Sequence, residues 1–117
     1  MILFVDDDVC YLRVITHMLS CQQLELNTAN KISKAISFLE ENSNCSLIIV
    51  DLHMREGSGV EILEWHSKNN STIPVIILSD ENRNNFNEVN HKHNFPVLNI
   101  PFNGESLMAM IKKHSLT

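Results

Sequence analysis

Apolar and polar positions along this chain fall into two alternating kinds of segment. Short continuous apolar runs stand at Ile2-Leu3-Phe4-Val5, Leu47-Ile48-Ile49-Val50 and Val75-Ile76-Ile77-Leu78. Runs of this length without polar alternation read as strands buried on both faces, as in the middle of a parallel sheet. Leu24-Glu25-Leu26-Asn27-Thr28-Ala29 alternates instead, as an edge strand with one wetter face would. Pro96-Val97-Leu98-Asn99-Ile100 reads as a last strand, stopped by Pro101. Between these runs the apolar spacing is helical. Val9, Leu12, Ile15 and Leu19, with Val14 and Met18 beside them, predict a helix from Val9 to about Cys21. Ile32, Ala35, Ile36 and Leu39 predict a second, ending near Asn42. Val60, Ile62, Leu63 and Trp65-His66 predict a third, and Leu107, Met108, Met110 and Ile111 a last one capped by Asn103. Glu81 to Asn90 holds two apolar residues and five asparagines, poor helix material, so only a short or frayed helix is expected over 81–94.

Strands alternating with helices five times over imply an α/β domain with a doubly wound, five-stranded parallel sheet and right-handed crossovers. Each buried strand ends on oxygen-bearing side chains: Asp6-Asp7-Asp8, Asp51, and Ser79-Asp80. A charge is costly inside a buried layer, so these residues belong at the C-terminal edge of the sheet, where open α/β sheets bind ligands. Strands one, three and four must lie side by side for Asp6, Asp7, Asp51 and Ser79 to converge. The flavodoxin-like order 2-1-3-4-5 does this, with its switch point between strands one and three. After Asp51 the loop carries Gly57 and Gly59, which allow backbone conformations that other residues resist.

Composition narrows the reading. At 117 residues the chain is expected to be one domain, residues 1–117, without an effector domain. A net charge of −5 argues against direct nucleic-acid binding, which needs a basic face. Cys10, Cys21 and Cys45 are odd in number and form no CxxC, so neither a disulfide framework nor a zinc site is signalled. Reduced cysteines acting as small apolar residues in a cytoplasmic protein are expected. No leader is expected, because the sequence opens on a predicted strand, and no run approaches the roughly 18 apolar residues of a membrane span.

The acidic pocket carries the chemistry. Three carboxylates gathered without a counter-charge repel one another, and a divalent cation removes that conflict. Oxygen-only ligands favour Mg²⁺ over zinc, and Mg²⁺ typically keeps several waters while using one or two carboxylates plus phosphate oxygens. A carboxylate beside Mg²⁺ is positioned to attack a phosphoryl group and form an acyl phosphate. A hydroxyl at Ser79 would hydrogen-bond the transferred group. The bland alternatives are helix caps and solvated strand ends for the aspartates, and a plain turn hydroxyl for Ser79. Among six histidines, the densest pair, His91 and His93, points apart on a helix, so these read as surface residues rather than metal ligands.

At this point the residues resemble a known family, the response-regulator receiver domain of bacterial two-component signalling. The pieces that carry the resemblance are Ile2 to Asp8, Ile49-Val50-Asp51-Leu52-His53-Met54 through Gly59, Pro74 to Ser79, and Pro101-Phe102. The resemblance covers essentially the whole chain, and these pieces stand in order at the right strand ends. The resemblance implies that Asp51 is the phosphoacceptor and that Asp6 and Asp7 bind the metal together with Asp51. His53 would offer its backbone carbonyl to Mg²⁺, and Ser79 fills the family's Ser/Thr switch position. It implies as donor a phosphohistidine on a sensor histidine kinase or a histidine phosphotransfer protein, and an output by contact with a downstream protein.

The chain departs from the family at four positions. Ile100 stands where the family carries a Lys that contacts the phosphoryl group. Asp80 follows the switch hydroxyl where a small residue is usual, Val97 replaces an aromatic rotamer switch, and Arg55 replaces a Pro. The acceptor and metal half of the site is intact, whereas the relay half is eroded. The expected function is therefore phosphoryl acceptance with an impaired relay. The alternative is a pseudo-receiver, an interaction module whose signal bypasses phosphate. A phosphohydrolase ranks last, because such enzymes commonly place a second Asp two residues past the nucleophile, where this chain has His53. A flavin-binding reading on the same fold would need a Ser/Thr- and Gly-rich phosphate loop after strand one, where this chain has three aspartates instead.

Overall fold

The computed structural model describes residues 1–22, 24–42, 44–52, 54, 59–79, 95–99 and 103–114. Along it, β1 (Ile2–Val5) is followed by α1 (Val9–Ser20), β2 (Leu26–Ala29), α2 (Ile32–Glu41), β3 (Leu47–Asp51), α3 (Val60–Lys68), β4 (Val75–Ser79), β5 (Val97–Asn99) and α4 (Gly104–His114). The helical stretch expected over 81–94 lies outside the described residues, as do His53, Arg55, Gly57, Asp80 and Ile100.

The sheet is parallel throughout and its order is β2-β1-β3-β4-β5, as the convergence of the strand ends requires. Strand parity sorts the core into two layers, because successive side chains point to opposite faces. Leu3, Val5, Ile48, Val50, Val75 and Ile77 face one way, onto Ile32, Ala35 and Leu39 of α2 and Ile62 and Leu63 of α3. Ile2, Phe4, Leu47, Ile49, Ile76 and Leu78 face the other way, onto Leu12, Ile15 and Leu19 of α1 and Leu107 and Ile111 of α4. Both faces are covered, which is why the three central strands read as continuous apolar runs.

Local chemistry sets the element ends. Asp8 caps α1, its Oδ1 accepting from the Tyr11 N–H at 3.1 Å. Asn103 caps α4 in the same way, its Oδ1 accepting from the Ser106 N–H at 2.7 Å. Pro74 and Pro96 precede β4 and β5, where they have no N–H to donate. Their carbonyls still accept from Ile48 and Ile77, each at 2.9 Å, and extend the ladder.

Several expectations need correction. The second strand begins at Leu26 rather than Leu24, although the Glu25 carbonyl already accepts from the Ile2 N–H at 2.9 Å. Val9 and Val14 do not join the buried stripe of α1; they are 46% and 63% exposed. Val14 lies two residues from Leu12, roughly 200° around the helix, so an apolar residue there faces outward. Cys45 is buried as expected, and burial pushes its thiol up, but Cys10 and Cys21 are exposed.

Candidate functional site

The C-terminal edge of the sheet gathers buried polar residues: Asp6 is 3% exposed, Asp51 8% and Ser79 not at all. Asp6 follows β1 directly, and its N–H donates to the Ala29 carbonyl at 3.1 Å, so it continues the ladder one residue past the strand. Val5 is in register with Val50. One step further sets Asp6 beside Asp51 on neighbouring strands, which run about 4.8 Å apart. Parity gives both carboxylates the face of Phe4 and Ile49. Asp51 is in register with Leu78, and Ser79 ends β4 one residue beyond.

The electrostatics follow from this juxtaposition. Burial pushes the Asp6 carboxyl up to about 6, aided by the charges of Asp51, Asp7 and Asp8 and opposed by the Asp8 N–H, which donates to its Oδ1 at 3.0 Å. Asp7 is half-buried and Asp8 exposed, so the three consecutive aspartates divide into a pocket residue, a rim residue and a helix cap.

Gly59 holds the far side of the site. A Cβ there would meet the Asp51 carbonyl oxygen at 2.5 Å, and Leu52 Cα and Val50 Cγ2 each at 2.9 Å. Its N–H donates to the Leu52 carbonyl at 3.3 Å, so the start of α3 is pressed against the end of β3. The glycine's backbone is ordinary right-handed helix (φ −56°, ψ −18°). Glycine is therefore needed here for closeness, not for the conformational freedom expected from the sequence.

The structure thus brings Asp6, Asp51 and Ser79 to one edge, with Asp7 at its rim. Val97 begins β5, half-buried and in register with Ile77. The remaining expected positions, His53, Asp80 and Ile100, fall outside the described residues. Among the described residues, no three His, Cys, Asp or Glu side chains form a metal cage. The oxygen-only donors fit Mg²⁺, which uses one or two carboxylates and keeps its waters, and the charge crowding on Asp6 is what such a cation relieves.

Sequence reasoning missed Tyr11. Its ring meets Phe4 edge-on, with centroids 6.2 Å apart and planes at 64°, in the same layer as the two carboxylates. Its place in the first turn of α1, three residues past the cap, was the available signal. Sequence reasoning set His66 in the pattern of the third helix but missed its hydrogen bond: it is buried on α3 with Nε2 2.8 Å from the Ile73 carbonyl.

Among the described residues no helix is long and apolar enough to cross a membrane. Comparison with known proteins agrees with this architecture. The chain is 35% identical over 79 residues to the two-component response regulator ARR12 of Arabidopsis thaliana, covering 67% of this chain and 13% of that protein. It is 34% identical over 83 residues to the two-component response regulator ORR5 of Oryza sativa subsp. japonica, covering 69% of this chain and 62% of that one. The chain therefore spans less than two thirds of either relative. The chemotaxis protein CheY4 of Vibrio cholerae superimposes with a TM-score of 0.84 at 22% identity, covering 96% of this chain and 95% of that one, which shows the shared fold. A response regulator receiver domain protein from Clostridium thermocellum gives a TM-score of 0.86 at 26% identity, covering 96% and 90%. The family model of the response regulator receiver domain matches residues 2–112, and the chain belongs to that family.

Proposed function

We propose that this receiver domain accepts a phosphoryl group on Asp51 from a phosphohistidine donor, on a sensor histidine kinase or a histidine phosphotransfer protein. The observation that carries the reading is the pair of buried, laterally adjacent carboxylates, Asp6 and Asp51, at the ligand-binding edge of the sheet. A carboxylate oxygen of Asp51 attacks phosphorus as the P–N bond breaks. The imidazole leaves with the bonding pair and takes up a proton, and an acyl phosphate remains on Asp51. Asp6, Asp7, Asp51 and the main-chain carbonyl of His53 are the groups that would hold Mg²⁺, which when bound supplies positive charge against the carboxylates and the phosphoryl oxygens. Ser79 donates its hydroxyl to a phosphoryl oxygen. The domain acts as a cytoplasmic switch rather than a turnover enzyme, and its state is read by a downstream protein through surface contact.

A second reading, the phosphate-independent interaction module, is favoured by the relay positions. Val97 gives β5 no aromatic ring to rotate, and Ile100 and Asp80 remove a cation and add a negative charge. Transfer of radiolabel from a phosphorylated histidine phosphotransfer protein separates the two. Label on the wild type and none on Asp51→Asn is expected. No label on the wild type, with partner binding retained by Asp51→Asn, would establish the module instead.

A further inference from the structure

Tyr11 is held beside the acidic edge at two points. In the first turn of α1 its N–H donates to Asp8 Oδ1, which fixes the backbone beside the aspartate run. Its ring is seated edge-on against Phe4, which lies two residues before Asp6 and is in register with Ile49, two residues before Asp51. Parity carries Asp6 and Asp51 onto the sheet face where this ring packs. Burial, then the charges of Asp6, Asp51 and Asp8, push the phenol up to about 12, so the hydroxyl keeps its proton throughout the physiological range. No described Lys or Arg is buried, so the described donors available to an anion at this edge include hydroxyls rather than a sunken cation.

We propose that the Tyr11 hydroxyl donates a hydrogen bond to the phosphoryl group carried by Asp51 and thereby supports its transfer. The proposal rests on the reading of Asp51 as phosphoacceptor. A phenol suits the task because it offers a permanently protonated donor to an anion, a charge-assisted bond stronger than a neutral one. Its ring is held by Phe4 before the phosphoryl group arrives, so little ordering is left to do on binding.

The test compares the full chain with Tyr11→Phe, which keeps the ring and its contact with Phe4. The phosphodonor is phosphoramidate: the Asp51 O–P bond forms as the P–N bond breaks, and the nitrogen leaves as ammonia. Three quantities are measured: the rate of adduct formation by intact mass, the affinity for beryllofluoride with Mg²⁺, and the affinity for Mg²⁺ alone. The expected result is a loss of about tenfold in the first two with Mg²⁺ affinity unchanged. Equal adduct rates and equal beryllofluoride affinities would overturn the role of Tyr11 and leave the phosphoacceptor reading standing. A parallel loss of Mg²⁺ affinity would also overturn it, since the hydroxyl would then be holding the pocket's shape. No adduct and no beryllofluoride binding in either protein would remove the phosphoacceptor reading and this proposal with it.

Discussion

Asp6 stands beside Asp51, one register step past Val5 and Val50, and burial, with the charge of Asp51 adding to it, pushes the Asp6 carboxyl up to about 6. This buried placement makes stability depend on pH in a definite direction. The native state binds the Asp6 proton more tightly than the unfolded chain, whose value is 3.8. Stability is therefore highest below about 4 as far as this group is concerned, and falls as pH rises through 4 to 6. At pH 7 without Mg²⁺ the ionised residue costs about 1–3 kcal/mol, so Asp6→Asn should raise the melting temperature by several degrees there and have little effect near pH 4. Thermal melts at both pH values check this; an equal shift at both would rule out the electrostatic origin.

Gly59 predicts a packing effect that helix propensity would miss. Alanine is the better helix former, yet a Cβ at this position would sit 2.5 Å from the Asp51 carbonyl oxygen. Gly59→Ala is expected to lower stability by about 1–3 kcal/mol in urea unfolding. It should also slow labelling of Asp51, because the end of β3 must shift. A neutral or stabilising result would mean that the loop gives way freely.

His66 ties α3 to the chain on either side of β4. Its Nε2 lies 2.8 Å from the Ile73 carbonyl, which can only accept, so Nε2 carries the hydrogen. Its ring meets Phe95 edge-on at 5.0 Å, just before β5. His66→Leu keeps most of the volume and loses both contacts, and a cost of about 1–3 kcal/mol is expected at neutral pH by urea midpoint. Unchanged stability would show that neither contact matters to the fold.

Position 100 predicts a gain. Ile100→Lys restores the cation that the family carries at this position, and if it contacts the phosphoryl group as the family's Lys does, faster Mg²⁺-dependent labelling of Asp51, by about tenfold, is expected. Labelling at the wild-type rate would mean that the relay half no longer communicates with the acceptor.

The sheet order and the site's edge were legible in the sequence because three strands are buried on both faces and end on oxygen. Apolar runs such as Leu47 to Val50 fix strand identity without reference to partners, and the cost of burying charge fixes where Asp6 and Asp51 must lie. Asp8 and Asn103 were legible as caps for a similarly local reason. What depends on distant neighbours was not. Val9, at the helix start, is turned outward by the helix's placement on the sheet, whereas Val14 faces away from Leu12 by helical spacing alone, which the apolar count passed over. Gly59 looked like a source of conformational freedom, whereas its constraint is the backbone of Asp51 across the loop. Tyr11 and His66 carry ordinary helix-face signatures in sequence; their roles arise from Phe4, Phe95 and Ile73, which the fold brings to them.

The most direct test of the central claim is intact-protein mass after incubation with a small phosphodonor, with and without Mg²⁺, beside Asp51→Asn. A single phosphoryl adduct that requires Mg²⁺ and is absent from the Asp51→Asn protein is the predicted result. A wild type that takes no phosphoryl group, or an Asp51→Asn protein that labels as well as the wild type, would contradict the assignment of Asp51 as phosphoacceptor.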